Sequence, residues 1–220
     1  MHITLKNLDQ IIKEIGEKIK EYNHENYSPK IIAVSKTFNQ DHIMPLVEHG
    51  HLHFGENKVQ EAIEKWSSIK EKNNKVKLHM IGKLQTNKVK HALKIFDYIH
   101  SVDSRKLAQK IHDEQLKLNK EVSIFIQVNI GKEDQKSGVD EEELKELVDF
   151  CFDKKLKLIG LMCLPPFDQD SNIFFTKLYN LNIKYKFTEI SMGMSHDYID
   201  AVRHKATFLR IGSKIFGKRN

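Results

Sequence analysis

The segment KIIAVSK (30–36) runs four apolar residues into Ser35 and Lys36, so a buried strand would end by delivering a primary amine. A lysine at a strand end is by default a solvated charge. Among apolar neighbours and beside a second cation such as Arg210, its amine would lose proton affinity and become a nucleophile able to form a Schiff base with an aldehyde. Near the other end of the chain, SMGMS (191–195) and RIGSKIFG (210–217) combine Gly193 and Gly212, where backbone can approach a ligand, with the hydroxyl donors Ser195 and Ser213. A short helix opening after Gly212 would aim free N–H groups at an anion. Singly, each glycine reads as a turn residue. Their joint placement after the last two candidate strands reads as a phosphate cradle. The ligand these groups fit is an aldehyde that carries a phosphate.

Such groups need elements to position them. After Ser28 and Pro29 the chain alternates short apolar runs with amphipathic stretches, as βα units around a parallel sheet do. The candidate strands are 30–36, 51–56 (HLHFGE), 77–82 (KLHMIG), 97–102 (DYIHSV), 122–130 (VSIFIQVNI), 156–164 (LKLIGLMCL), 187–192 (FTEISM) and 207–212 (TFLRIG). Helical patterns lie between them, such as Leu144, Leu147, Val148 and Cys151, with Asp140 placed to cap and Glu143 three residues on. Ahead of the first strand, Leu5, Leu8, Ile12, Ile15, Ile19 and Tyr22 keep one stripe on an extra N-terminal helix that should pack on the body. The spacing predicts an α/β fold, a single (β/α)8 TIM-type barrel over residues 1–220, close to the lower limit of about 200 residues for that architecture. A doubly wound open sheet would want a Gly-rich first turn, whereas the turn after Lys36 reads TFNQ. In a barrel the active site forms at the carboxyl ends of the strands. Those ends carry Ser35 and Lys36, Glu56 and Asn57, His79 followed by Gly82, Asp103, Asn129, Ser191 and Ser195, and Arg210 with Gly212 and Ser213.

Composition bounds the alternatives. Of the 220 residues, 40% are hydrophobic and 30% charged with four prolines, which describes a folded chain rather than a disordered one. No apolar run approaches the roughly 20 residues that span a bilayer. Lys6, Asp9, Lys13 and Glu14 interrupt the N-terminal segment, unlike the core of a signal peptide, so a cytoplasmic location is expected. Cys151 and Cys163 are too few for a disulfide scaffold and read as small buried hydrophobes. The net charge of +6 is mixed along the chain, so solvated helix faces account for it, and no nucleic-acid or membrane partner is expected. His49, His51 and His53 invite a metal reading, but without carboxylates and further histidines at other strand ends they read as packed or edge-exposed rings. Lys83, Lys88 and Lys136, with His79, could line a cavity mouth, exposure being the default for each lysine.

The blocks AVSKTF, FGENKVQE, HMIGKLQTNK, SVDS, IQVNIGKEDQKSGV, GLMCLPP, SMGMSHD and ATFLRIGSKIFGKR, in this order over nearly the whole chain, resemble the pyridoxal 5′-phosphate (PLP) homeostasis proteins. The resemblance implies a single barrel that is similar to the N-terminal domain of alanine racemase but binds PLP without known catalytic turnover. It implies Lys36 as the Schiff-base lysine, Asn57 near the ring, Arg210 at the pyridine nitrogen, and Ser195, Gly212 and Ser213 at the phosphate. His79, Ser191 and Gly193 complete the expected cofactor-binding set. Guanidinium can only donate, so Arg210 would leave the ring nitrogen unprotonated and weaken the ring as an electron sink. PLP itself and PLP-dependent apoenzymes are the expected partners, and a monomer is expected. The segment FDQDSNIFFTKLYN is shorter than the family's and lacks its arginine before the paired aromatics. Lys205 stands where the family has glycine. The alternative is a PLP-dependent amino-acid racemase, but none of the six tyrosines lies at a predicted strand end to serve as the opposing base, and no second domain is expected past the eighth strand. A phosphosugar enzyme would explain the phosphate loops and leave the other blocks without a role.

Overall fold

The computed structural model describes residues 2–133 and 137–217. Its strands fall inside the eight apolar runs: β1 (Lys30–Val34), β2 (His53–Glu56), β3 (Lys77–Met80), β4 (Tyr98–Val102), β5 (Ser123–Val128), β6 (Leu158–Cys163), β7 (Glu189–Ser191) and β8 (Phe208–Ile211). They pair in chain order, all parallel, and β8 returns to β1 to close the barrel, which rules out the open sheet. The helices are α1 (Ile3–Glu21), α2 (Gln40–Glu48), α3 (Val59–Lys72), α4 (Val89–Ile95), α5 (Arg105–Leu118), α6 (Glu141–Asp153), α7 (Ser171–Lys184), α8 (Tyr198–Arg203) and α9 (Ser213–Phe216).

Because side chains alternate across a strand, each strand feeds two cores. Ile31 and Ala33 of β1 face the helices and join the large outer core, while Ile32 and Val34 face inward with Phe125, Met162 and Phe208. At the seam Ile32 is opposite Arg210 and Ala33 opposite Ile211. Continuing the parity of β1 past Val34 carries Lys36 to the mouth of the interior, and the parity of β8 puts Arg210 inside it.

The N-terminal helix packs on α2, α8 and α9. Its buried side is Thr4, Leu8, Ile11 and Ile15, with Leu5, Ile19 and Tyr22 packed partly against the core. Ile12, expected in that stripe, is 52% exposed. Residues 11 and 12 flank the face, and at 100° per residue the three-residue step from Leu8 wins. Asn7 donates to the Ile215 carbonyl (2.9 Å), and Lys214 pairs with Glu14 (3.3 Å), so this helix braces the segment after β8. Asp140 does stand at the N-cap of α6, but its carboxylate makes no capping bond and accepts from Asn129 instead (3.2 Å). Lys205 adopts φ 55°, the left-handed conformation that glycine takes without a Cβ penalty, so the turn forms with lysine in place of the expected glycine.

Three inward positions on consecutive strands, His53, His79 and His100, are imidazoles. Burial holds the rings of His79 and His100 well below the ordinary histidine pKa, and pushes His53 down to about 4. In the unfolded chain they titrate near the usual value of about 6.5, so below it the unfolded state binds more protons and stability is lost as pH falls. We expect the unfolding free energy from urea melts to drop between pH 7 and pH 5, the slope approaching about 1.4 kcal/mol per pH unit for each of His79 and His100 once their unfolded forms are charged. PH-independent melts over that range would show that these rings are hydrated in the native state.

Candidate functional site

A cavity of about 280 Å³ opens at the carboxyl ends of the strands. Lys36, Asn57, Ser195, Arg210, Gly212 and Ser213 line it together with the apolar Val34, Phe38, Ile81, Leu164 and Met194. His196 and Gly217 complete the wall, and no carboxylate lines it among the described residues. Lys36 is half-buried and Arg210 is 3% exposed. The guanidinium donates to Ser191 Oγ (2.7 Å) and to the Cys163 carbonyl (2.8 Å). Across the cavity, Ser195 Oγ accepts from the backbone N–H of Gly212 (3.1 Å) and Lys214 (3.4 Å), which leaves its own proton to donate elsewhere. The backbone N–H groups of Ser195 and Ser213, and the side-chain amide of Asn57, find no partner within the described residues. One side of the cavity is therefore rich in unused donors, and its walls are apolar. That chemistry suits a flat anionic ligand.

The backbone on either side of Lys36 and Asn57 is held by a buried charge cluster. Glu56 Oε1 accepts from Ser35 Oγ (2.8 Å), Lys65 Nζ (3.0 Å) and Trp66 Nε1 (2.9 Å). Lys65 Nζ also donates to the Ser35 carbonyl (2.8 Å) and to Glu61 Oε1 (3.0 Å), and Glu61 accepts from the Thr37 N–H (2.6 Å). The residues before and after Lys36, and the residue before Asn57, are thus tied to α3. Gly82 presses on the other side of Asn57, because a Cβ at Gly82 would lie 2.4 Å from the Asn57 carbonyl oxygen.

Residues 3–220 match the family described as alanine racemase, N-terminal domain. A pyridoxal phosphate homeostasis protein of Aquifex aeolicus is 34% identical over 224 residues, covering 97% of this chain and 97% of the relative. The chain belongs to the pyridoxal phosphate homeostasis protein family. Among solved structures, PipY of Synechococcus elongatus, with PLP bound, superposes at a TM-score of 0.77 and 31% identity, covering 92% of this chain and 100% of PipY. Alanine racemase of Clostridium difficile shares the barrel at a TM-score of 0.68 and 17% identity, over 94% of this chain and 56% of the racemase. That is a likeness of fold.

Within this homeostasis-family barrel, six of the residues singled out from sequence converge on the cavity, and three do not line it. Ser191 stands directly behind Arg210 as its acceptor. His79 is wholly buried deeper in the barrel, with its Nδ1 2.9 Å from His100 Nε2. Gly193 (φ 88°) lies under the loop, where a Cβ would come within 2.5 Å of Ala201 Cβ, so it lets that loop pack against α8. Lys83 and Lys88 are exposed and line a neighbouring cavity of about 320 Å³ that shares Asn57 with the first. Lys136 lies outside the described residues. His49 caps α2, His51 bonds to the His53 carbonyl (2.9 Å), and no group of three possible metal ligands occurs among the described residues. Both cysteines are buried thiols, pushed up to about 12. No tyrosine lines the cavity. Sequence reading missed His196, which follows Ser195 in a loop without periodicity, and the Glu56 and Lys65 cluster.

Removing one partner of a buried ion pair strands the other. Lys65→Met should therefore destabilise the fold by about 3–5 kcal/mol in urea melts, and the Glu56→Gln/Lys65→Met pair should recover much of that loss. Equal losses in both variants would show that the lysine acts through its packing alone.

Proposed function

We propose that this chain binds PLP in the strand-end cavity, with Lys36 as the Schiff-base lysine, and that it holds and releases the cofactor without turning over a substrate. The observation that carries this reading is the convergence, in one cavity that no carboxylate lines among the described residues, of a lysine amine, a buried guanidinium and a loop pair with unused N–H and hydroxyl donors. The name shared by the curated relatives and the PLP held by PipY support it. When bound, PLP supplies an aldehyde that condenses with an amine, releasing water, and a ring that can act as an electron sink.

The residues divide by chemistry. Lys36 offers the amine, and the clamp of Ser35 and Thr37 onto α3 would hold it on target. Ser195 and Ser213 would take the phosphate through hydroxyl and backbone donors, with Gly212, whose N–H is held by Ser195 Oγ, letting the backbone come close to it. Arg210 would meet the ring nitrogen and, being unable to give up a proton, would leave it unprotonated, so the ring would remain a weak sink. Asn57 would lie beside the ring. A racemase needs a second base on the far face of the ring, and no tyrosine borders the cavity. Reversible holding needs only the amine and the cradle, and release to a PLP-dependent apoenzyme follows because an amine of that enzyme can displace Lys36.

Added PLP should give a new visible absorption band with the wild-type protein and none with Lys36→Ala. The loaded protein should reactivate a PLP-dependent apoenzyme, while chiral chromatography finds no racemisation of alanine above background. Wild-type protein that takes up no PLP would remove the cofactor assignment, and racemisation dependent on Lys36 would establish the racemase instead.

A further inference from the structure

Arg210 is a buried cation with no carboxylate within ion-pair distance among the described residues; the buried Asp197 acts on it from farther off, and the groups in hydrogen-bond contact with it are dipoles. One of them heads a chain that crosses the barrel. Ser191 Oγ lies 2.9 Å from His100 Nδ1, His100 Nε2 lies 2.9 Å from His79 Nδ1, and His79 Nε2 lies 2.9 Å from His53 Nδ1. Ser191, His79 and His100 are all completely buried, while His53 reaches the half-exposed amino-terminal end of the barrel.

The donors in this chain follow from its guanidinium end. Guanidinium only donates, so Ser191 must accept from Arg210. Among the described residues the serine's own proton is left with one neighbouring acceptor, His100 Nδ1. His100 must then carry its proton on Nε2 and give that hydrogen bond to His79 Nδ1, and by the same step His79 gives one from Nε2 to His53 Nδ1. All three rings share one tautomer, and every dipole in the line turns its negative end toward the guanidinium. Stacking keeps the rings in this arrangement: His79 lies parallel to Tyr98 (centroids 4.3 Å apart, 6° between planes) and His100 against Phe125 (4.3 Å, 18°).

We propose that His100 is a positioning residue for Arg210: by accepting the Ser191 proton it makes Ser191 a pure acceptor, and so locks the guanidinium that borders the cofactor cavity. His79 and His53 extend the effect by holding His100 in the required tautomer. Without that acceptor the serine can turn its proton toward the guanidinium, where two donors would face one another in the low-dielectric interior. The burial that keeps His79 and His100 neutral, reinforced at His100 by the charge of Arg210, agrees with this arrangement. The role at the cofactor rests on the PLP reading above, whereas the direction of the hydrogen bonds does not.

The test has two arms. Nitrogen-15 NMR of the histidine side chains in the cofactor-free protein at pH 7 should find His100, His79 and His53 neutral with the proton on Nε2. A proton on His100 Nδ1 would overturn the proposal, whatever the protein binds. In the second arm, PLP titrations compare His100→Leu with His100→Asn, whose short side chain can return an acceptor oxygen close to the position of Nδ1. His100→Leu should weaken PLP binding about tenfold or more and shift the absorption of the bound cofactor, since a hydrogen bond to a charged group is lost, and His100→Asn should recover most of both. Both variants forfeit the bond to His79, so a merely structural role predicts equal effects, and that equality would overturn the proposal. Failure of the wild-type protein to bind PLP, with the expected tautomers present, would count against the PLP reading of the cavity and not against the hydrogen-bond polarity.

Discussion

The site depends on the pairing of β8 with β1. Arg210 and the loops that end in Ser195 and Ser213 come from the last thirty or so residues, while Lys36 lies just past the first strand, and only closure of the barrel makes them neighbours. The register is as important as the closure. With Ile32 opposite Arg210, both residues occupy inward positions; a slip of one residue would send the arginine into the helix layer and Phe208 out of the inner core. Burial on both sides of the seam fixes the register, because Ile31, Ala33, Leu209 and Ile211 fill the outer core while Ile32, Val34 and Phe208 fill the inner one.

Polar groups buried in such a barrel carry a desolvation cost that packing does not repay, so most are matched, although Glu56 Oε2 and Ser101 Oγ are buried without a hydrogen-bond partner among the described residues. The structure meets this in two ways. Near Lys36 the match is charge to charge: Glu56 and Lys65, with Ser35, Trp66 and Glu61, form a compact cluster between strand ends and α3. Near Arg210 the match is charge to dipole, through a serine, a carbonyl and a line of neutral imidazoles. Both arrangements are more expensive than an apolar core and less tolerant of alternative packings. What they obtain in return is a fixed backbone under the lysine and a fixed guanidinium opposite it.

Much of this was legible beforehand because parallel strands covered on both faces read as continuous apolar runs, and all eight were found at the positions the runs predicted. Strand-end logic then located Lys36, Asn57, Arg210, Ser195, Gly212 and Ser213, which the cavity brings together. The Glu56 cluster was not legible, since its members become partners only when α3 folds back over the ends of β1 and β2. The histidine chain had left a trace: HLHFGE, KLHMIG and DYIHSV each place a histidine at an inward position, but strand phase must be known before the three can be seen to align. Ile12 and Asp140 show the other limit. A helical stripe is broad enough for Ile11 to replace its neighbour, and a well-placed cap residue can be drawn away by a tertiary donor such as Asn129.

The central claim is that the amine at the end of β1 is the group that holds the cofactor, with the rest of the cavity arranged around it. The most direct measurement is borohydride reduction of the PLP-loaded protein followed by peptide mass mapping. The account predicts a stable adduct on Lys36 in the peptide that contains AVSKTF. An adduct confined to another lysine, Lys83 and Lys88 of the neighbouring cavity included, would contradict it.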